Sequence, residues 1–298
     1  MRFIYIGFIL FFMVGCANKA TQDIAIDVSC SSNYFSIKAV ACLEQDQLIQ
    51  KLEPYQVIFI GDHHTSKKLH KRVSSLIDKL SQKGYKIHLA SEWFVPSDNN
   101  LLAEYSLGRL SDAQFEKEIK WKDRMRLSFS LFSPIYRSVI RNKGQIYGIN
   151  MTKEDRQRIG TQNIFSMSGY AADFYKKLDL DTKIHKDIIG QFLDCHAPKK
   201  GENEEQCLKR MYLIQVAWDS IMAQNSSLIA NNVLTTKRDK LLVFVGSMHL
   251  AFGVGINMRF ARINNKPFVT ILPLHKTSTK IPLGFGDYLL LYGNLHNN

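Results

Sequence analysis

The sequence predicts an α/β fold in which helices flank a mainly parallel central sheet and a helical insertion lies between two strands. Short apolar, β-branched segments alternate with longer amphipathic patterns, and continuous apolar strands are typical of parallel sheets buried on both faces. The 298 residues are 45% hydrophobic and 22% charged. This composition excludes a disordered, collagen-like or polytopic membrane protein, and the length suits one large domain with a sizeable insertion.

The first residues resemble a secretory signal. Arg2 precedes the uncharged segment 3–14, which is too short to remain as a membrane-spanning helix. The segment ends at Gly15-Cys16, as in bacterial lipoprotein signals, so we expect removal of residues 1–15 and lipidation of Cys16. The alternative is a plain signal peptide with an incidental cysteine. Ala17, in place of Asp, favours an outer-membrane lipoprotein that faces the periplasm.

The location decides how charge and cysteines are interpreted. A net charge of +12 would indicate nucleic-acid binding in the cytoplasm, but we expect no nucleic-acid partner in the cell envelope. Four further cysteines remain, an even number that is typical of disulfides in an oxidising compartment. Sequence allows three pairings, and we favour Cys30–Cys42 and Cys195–Cys207 because each closes a short loop.

The predicted elements follow in chain order. Residues 16–50 are interpreted as the lipidated N-terminus, a tether and a disulfide segment, and residues 51–150 and 241–298 as the α/β domain. An amphipathic helix is predicted over 66–83, ended by Gly84, and a longer helical stretch over 100–143 is broken at 108–111, where Ser111 is a good N-cap, and near Pro134. The predicted strands are 57–60, 87–90, 146–149, 241–245, 269–272 and 288–292.

The interval 151–240, called the insertion below, shows only helical patterns. A crossover between parallel strands needs only a dozen or two residues. We therefore expect most of the insertion to cover a site or to form a partner surface.

Polar side chains follow four of the predicted strands. They are Asp62, His63 and His64 after the first, Glu92 after the second, Asn150 after the third and His249 after the fourth. Open parallel sheets place their sites at the carboxyl ends of the strands, so these residues are expected in one crevice. They can bind a divalent metal or work as acid and base around a water. The alternative is a set of structural, hydrogen-bonded histidines.

These motifs resemble those of the ChaN-like haem-binding lipoproteins, whose wider superfamily includes erythromycin-esterase-like and Tiki-type proteins. The resemblance covers roughly residues 50–275. It rests on the motifs Gly61-Asp62-His63-His64, Ser91-Glu92-Trp93-Phe94, Ile149-Asn150-Met151, Gln215 to Ala223, and Val245 to Leu250. The first motif usually reads Gly-Glu-x-His, so Asp62 is one methylene shorter than the family residue. Glu92 and His249 match as they stand.

The resemblance implies a protein that binds haem for haem and iron acquisition. The sequence has no Cys-x-x-Cys-His motif, so haem would bind non-covalently. A tyrosine phenolate is a ligand suited to ferric haem, and Tyr212 and Tyr170 of the insertion are the candidates; the alternative is that each is a half-buried core residue. Lys209 is a candidate for a haem propionate, and His196 for a propionate or a second ligand, unless it is a solvated loop histidine.

Two further expectations concern partners and chemistry. A homodimer is expected because a flat porphyrin needs cover on both faces, and an outer-membrane haem receptor is a candidate partner. The segment 120–143 has seven basic residues and one acidic residue, which suits steering of anionic propionates or a solvated helix face. The hypothesis from a different class is a metal-dependent or acid/base hydrolase that uses Asp62, His63 or His64, Glu92 and His249.

Overall fold

A computed structural model describes residues 23–26, 32–161, 178, 183–195 and 198–293. Within these residues the strands are β1 (Asp23–Ala25), β2 (Tyr34–Ser36), β3 (Ala41–Leu43), β4 (Val57–Asp62), β5 (Lys86–Ser91), β6 (Ile146–Gly148), β7 (Asp239–Gly246), β8 (Phe268–His275), β9 (Lys280–Pro282) and β10 (Tyr288–Tyr292). The helices are α1 (Gln45–Leu52), α2 (Lys67–Gln82), α3 (Asn99–Ser106), α4 (Asp112–Glu118), α5 (Trp121–Arg124), α6 (Phe129–Arg141), α7 (Lys153–Thr161), α8 (Lys183–Ile189), α9 (Glu204–Val233) and α10 (Ile256–Ile263).

The main sheet has eight strands in the order β3-β2-β10-β8-β4-β7-β5-β6. The strands from β10 to β6 run parallel to their neighbours, and β2 and β3 continue the sheet antiparallel at one edge. β1 and β9 form a separate antiparallel pair. The predicted α/β class with a mainly parallel sheet is confirmed, and each of the six predicted strands corresponds to a strand of this sheet.

Both faces of the sheet are covered, which explains why its central strands are continuously apolar. Successive side chains of a strand point to opposite faces, so Ile58 packs in the core beneath α2 and α6, whereas Phe59 packs in the core beneath α9 and α10. All residues of β4 and β7 are buried. Every polar group of these strands that is not in the sheet ladder must therefore find a partner inside the protein.

The segment before the predicted domain contributes more than a tether. Tyr34 and Phe35 of β2 are 3% and 1% exposed and lie in the two cores. The turn between β2 and β3 places Val40 at a φ of 49°. Each of these strands has three residues, which is too short to give a recognisable alternation of apolar and polar positions.

Helix boundaries follow the expected capping chemistry, with one exception. The side chains of Ser66 and Ser111 cap α2 and α4 by accepting from the backbone N–H groups of Leu69 and Gln114. The predicted break near Pro134 is wrong, because α6 runs through that residue. Proline removes one helical hydrogen bond, but α6 packs against α2, and the Ser74 hydroxyl donates to the Pro134 carbonyl over 3.0 Å.

The insertion consists of α7, α8 and α9 where the structure describes it, and its last two residues, 239 and 240, already belong to β7. A disulfide joins Cys195, after α8, to Cys207 in the first turn of α9. Cys42 is disulfide-bonded as well, and its predicted partner Cys30 lies outside the described residues. Helix α9 has 30 residues and is therefore about 45 Å long.

Helix α9 belongs to two parts of the molecule. Its first half lies in the insertion, and its second half packs on the sheet, where Met222, Ala223 and Ala230 are fully buried in the core. The sequence pattern assigns all of residues 151–240 to an addition to the α/β domain, whereas the end of α9 is one of the helices that cover the sheet. In the part of the chain that the structure describes, none of the helices is long and apolar enough to cross a membrane.

Candidate functional site

The candidate site lies at the carboxyl ends of β4, β5 and β7, a place called the strand-end crevice below. β7 lies between β4 and β5, and Asp62 at the end of β4 is in register with Gly246 at the end of β7. Glu92 directly follows β5, and its carboxylate accepts from the Gly246 N–H over 2.5 Å. Asp62 and Glu92 are 3% and 5% exposed, so both carboxylates need partners within the protein.

Two imidazoles flank Asp62. His64 Nδ1 lies 3.0 Å from one carboxylate oxygen, and Nε2 of His70 lies 2.7 Å from the other. The second nitrogen of His70 lies 2.9 Å from the Leu131 carbonyl. Burial raises the pKa of Asp62, but the hydrogen bonds from His64 and His70 outweigh this effect and hold the pKa below its ordinary value. We call Asp62, His64 and His70 the Asp62 unit.

A second buried carboxylate has the same kind of neighbours. Asp219 of α9 lies 2.5 Å from His249 Nδ1 through one oxygen. Its other oxygen is 3.3 Å from His185 Nε2 of α8, without the alignment of a hydrogen bond. Burial raises the pKa of Asp219, but the charge of His249 and the two imidazoles outweigh it, so the pKa is lowered. We call Asp219, His185 and His249 the Asp219 unit, which Gln215 joins by donating to Asp219 over 3.1 Å.

The Asp219 unit connects the strand-end crevice to a predicted haem ligand. The Tyr212 hydroxyl lies 2.9 Å from Nδ1 of His185. Tyr212 is 9% exposed and His185 is fully buried. A continuous path of polar side chains therefore runs from Tyr212 through His185 and Asp219 to His249. Lys209, one turn earlier on α9, is exposed.

Glu92 lies between the two units. Gly246 is packed so closely that a Cβ there would be 3.1 Å from His64 Cε1 and 3.6 Å from the Glu92 carboxylate. Burial lowers the pKa of His64 and of His249, but their carboxylate partners and the charge of Glu92 outweigh burial and raise both pKa values. The structure thus brings together the predicted residues Asp62, His64, Glu92 and His249.

His63 does not belong to this group. Its Nδ1 lies 2.5 Å from the Tyr292 hydroxyl at the end of β10, and burial lowers the pKa of the imidazole. Adjacent residues of an extended chain point in opposite directions, so His63 faces the β10 side while Asp62 faces His70. Of the two histidines that the hydrolase hypothesis leaves open, His64 is therefore the one that lies in the crevice.

Aromatic rings border both imidazoles of the crevice. Trp93 meets the edge of His64 at a centroid distance of 4.6 Å, and Trp218 of α9 meets His249 at 5.3 Å. The Trp218 indole N–H donates to the side-chain oxygen of Asn150, whose amide in turn donates to the Glu92 carbonyl over 2.5 Å. Glu92 and Asn150, which follow β5 and β6, are thus connected to α9 by hydrogen bonds.

Sequence reasoning missed two members of the units and one residue beside them. His70 and His185 are fully buried on helix faces that resemble core-facing stripes, so their pattern contains no polar signal. Arg156 of α7 places its guanidinium carbon 5.5 Å from the centre of the Trp218 ring. The remaining predicted residues Tyr170, His196, Cys16 and Cys30 lie outside the described residues.

The possible divalent metal at the strand ends finds no support. Over the described residues, no group of three or more His, Cys, Asp or Glu side chains is arranged to hold a metal ion. The physical reason is visible in Asp62, since both of its oxygens face imidazoles.

The basic segment 120–143 is partly neutralised, because Arg124, Arg137 and Arg141 pair with Asp98, Asp112 and Asp78.

The arrangement can hold and move protons. An imidazole whose Nδ1 faces a carboxylate has its other nitrogen left to donate to, or accept from, a bound molecule. His64 and His249 both have this arrangement, and Glu92 lies beside them. The same groups also provide hydrogen-bond donors for an anionic ligand.

The fold is similar to that of a solved ChaN structure. The structure of ChaN of Campylobacter jejuni, described as showing cofacial haem binding, superposes with a TM-score of 0.62 at 20% identity and covers 88% of this chain and 96% of that chain. A point mutant of the erythromycin esterase EreC, in its open conformation, gives a TM-score of 0.45 at 14% identity, covering 81% of this chain and 77% of that chain. The type III effector HopBA1 gives 0.45 at 15% identity, covering 83% and 92%.

No curated protein matches the sequence. Residues 48–260 match the family described as haem-binding uptake, Tiki superfamily, ChaN. The match begins within α1 and ends within α10. It includes the strands β4 to β7, the strand-end crevice and the insertion. The chain belongs to this ChaN family of haem-binding uptake proteins.

Proposed function

We propose that this protein is a lipid-anchored haem-binding protein of haem and iron acquisition, and that it binds ferric haem non-covalently through a tyrosine of the insertion, Tyr212 or Tyr170. Membership of a haem-binding family supports the ligand. The observation that carries the proposal is the position of Tyr212, whose hydroxyl lies 2.9 Å from His185 in the path to the strand-end crevice. The hydrogen bond holds the Tyr212 hydroxyl against His185.

The insertion also has partly exposed apolar surface beside α9. Met151, Ile159 and Ala217 form a small core between α7 and α9, separate from the two cores of the sheet. Five apolar side chains pack against this small core and are only partly buried, which leaves apolar surface available. They are Leu178, Leu213, Ile214, Trp218 and Ile221. A mostly apolar site with a few placed polar groups is the usual form of a cofactor site.

Each polar residue has a role in this proposal. Haem supplies a ferric iron, for which a phenolate is an established protein ligand. Tyr212 or Tyr170 binds the iron, His185 orients the Tyr212 hydroxyl, and Lys209 is exposed on the same helix, where its ammonium is available to a propionate. His196 follows Cys195, which the disulfide joins to α9, and is the candidate for a second polar contact.

Location and assembly are part of the proposal. Lipidation at Cys16 would attach the protein to the outer membrane, facing the periplasm, where an outer-membrane haem receptor would deliver haem. A homodimer would cover the second face of the porphyrin.

A haem titration of the full chain in detergent, with single tyrosine variants, tests the proposal. We expect haemin to give a saturable Soret shift and a high-spin ferric spectrum, and either Tyr212→Phe or Tyr170→Phe to abolish that spectrum. Tyr147→Phe, on β6 at the far edge of the sheet, is the control and should leave it unchanged. An unchanged spectrum in both insertion variants would contradict a tyrosine ligand, and absence of haemin binding by the wild type would contradict the proposed function.

The second candidate function is acid/base hydrolysis, favoured by one observation: His64 and His249 each face a buried carboxylate, with Glu92 between them. An imidazole held in this way is the usual general base of hydrolases. We expect such an activity to be insensitive to chelators, to be lost in Glu92→Gln and His249→Asn, and to survive Tyr212→Phe. Hydrolysis of activated esters by the purified wild type and these variants measures it, and equal rates in all of them would exclude the crevice as its source.

A further inference from the structure

Arg156 has an unusual position among the arginines of this chain. It is exposed on α7, and its guanidinium lies over the face of Trp218, 5.5 Å from the ring centre. The other neighbours of Trp218 belong to the strand-end crevice. The Trp218 ring contacts the His249 ring at a centroid distance of 5.3 Å, and its indole N–H donates to Asn150. Arg156 therefore lies at the boundary between the crevice and the small apolar core of the insertion.

The charge of Arg156 has no carboxylate partner in the part of the chain that the structure describes. Five arginines, Arg109, Arg124, Arg137, Arg141 and Arg210, each contact a carboxylate oxygen, whereas Arg238, like Arg156, lies over an aromatic ring, that of Tyr85. Asp155, its neighbour on α7, accepts from the Thr152 hydroxyl, and its backbone N–H donates to the same hydroxyl. Among the described residues, no carboxylate therefore competes with a ligand for the guanidinium of Arg156.

Trp218 also fixes the orientation of Arg156. A guanidinium that lies over an aromatic face gains cation–π attraction and leaves its N–H edge directed outward. The indole is itself held by the hydrogen bond to Asn150 and by packing in the small core. Since the fork of N–H groups matches the two oxygens of a carboxylate, this arrangement suits a carboxylate better than a compact cationic or neutral group.

We propose that Arg156, held on Trp218, is the residue that binds a carboxylate of the ligand and so selects an anionic ligand with an apolar body. The inference rests on the proposed function, in which that carboxylate is a haem propionate. Trp218 follows Tyr212 by six residues on α9, which separates the two side chains by about 9 Å along the axis and about 120° around it. In this proposal the iron and the propionate of one haem would reach these two different places on the helix.

The test compares two ligands that differ only in the carboxylates. Haemin and haemin dimethyl ester are titrated into the full-length wild type, Arg156→Gln and the control Lys153→Gln, which removes a positive charge from the first residue of the same helix. We expect Arg156→Gln to weaken haemin binding about tenfold, the loss of one exposed charge-assisted contact, and to leave the affinity for the ester unchanged. Lys153→Gln should change both affinities less than about twofold.

Three results would overturn the assignment. Equal affinities of wild type and Arg156→Gln for haemin would show that Arg156 does not contact the carboxylate. A loss of the same size for haemin and its ester would show a role in shape or folding, and a loss of the same size in Lys153→Gln would show only general electrostatic attraction. A wild type that binds neither porphyrin overturns the proposed function as well, so the two failures are distinguishable.

Discussion

The Asp62 unit and the Asp219 unit have the same composition, a buried aspartate between two histidines, but they differ in how completely their hydrogen bonds are made. Asp62 has aligned partners on both oxygens, at 3.0 and 2.7 Å. Asp219 has one close partner at 2.5 Å, while its second oxygen and the facing His185 nitrogen are buried without a hydrogen bond. The first unit lies within the α/β domain, and the second joins that domain to the insertion.

This difference shows which of the two buried carboxylates has an oxygen without a hydrogen bond. Nearly all buried polar atoms of folded proteins have partners, and exceptions mark places where a partner binds or an element shifts. Both oxygens of Asp62 are hydrogen-bonded, and the bond to His70 holds the start of α2 against the sheet. The Asp219 unit is incomplete on the side of α8, beside the hydroxyl of Tyr212.

The largest expected effect comes from the two aspartates. Asp62→Asn removes the charge that both imidazoles face, and breaking a buried ionic group of this kind costs about 3 kcal/mol of the free energy of unfolding. Asp219→Asn should cost less, because only one of the two Asp219 oxygens is hydrogen-bonded. Urea unfolding of both variants measures the difference, and a larger loss for Asp219→Asn would reverse the comparison.

The outer histidines give a smaller effect in the same direction. His70→Asn removes a ring that contacts Asp62 and the Leu131 carbonyl, so we expect a loss of about 2 kcal/mol. His185→Asn loses the bond to Tyr212 but no aligned bond to Asp219, and should cost about 1 kcal/mol. Thermal and urea unfolding of the pair measure these values; equal losses would show that the Asp219 unit is as complete in solution as the Asp62 unit.

The smallest effect is the pH dependence of stability. The lowered pKa values of Asp62 and Asp219 stabilise the fold above the unfolded carboxyl pKa of about 3.9, and this contribution is lost as the pH falls through the folded values. The raised pKa values of His64 and His249 stabilise it below about pH 6.5, and that contribution is lost as the pH rises through the folded values. These four groups favour mildly acidic solution, whereas the lowered pKa of His63 costs stability as the pH falls below about 6.5 and opposes the contribution of His64 and His249.

Unfolding free energies between about pH 3 and pH 9 check this profile, a range that spans the ordinary carboxyl and imidazole pKa values. His249→Asn should flatten the alkaline side more than His64→Asn, because the side chain of His249 is 10% exposed and that of His64 is 42% exposed, where solvent screens its interactions. A wild-type profile that keeps rising above about pH 7 would contradict the raised imidazole pKa values.

The sequence was sufficient for the central sheet because its strands are continuous apolar segments bounded by polar residues. Asp62, Glu92 and His249 were predicted as site candidates for the same reason, since each closely follows such a segment. β2 and β3 were not predicted, although β6, which is equally short, was. His70 and His185 were missed because a histidine inside an apolar helix stripe resembles any other core position until its partner on a different element is known.

The position of Arg156 illustrates the same limit. Its pairing with Trp218 joins residues that are far apart in the chain, and nothing in the local sequence of α7 distinguishes it from the other exposed basic residues there. Such contacts depend on the packing of α7 against α9, which a single sequence does not specify.

Helix α9 lies in the insertion with its first half and packs on the sheet with its second half, which limits how this protein can be divided. Because the helix that carries Tyr212 and Asp219 also covers the sheet with Met222, Ala223 and Ala230, the part of the insertion proposed to bind haem cannot be excised or transplanted as a separate module. Deleting residues 151–240 would uncover one face of the sheet. Recombination within this fold is therefore restricted to exchanges that keep the second half of α9.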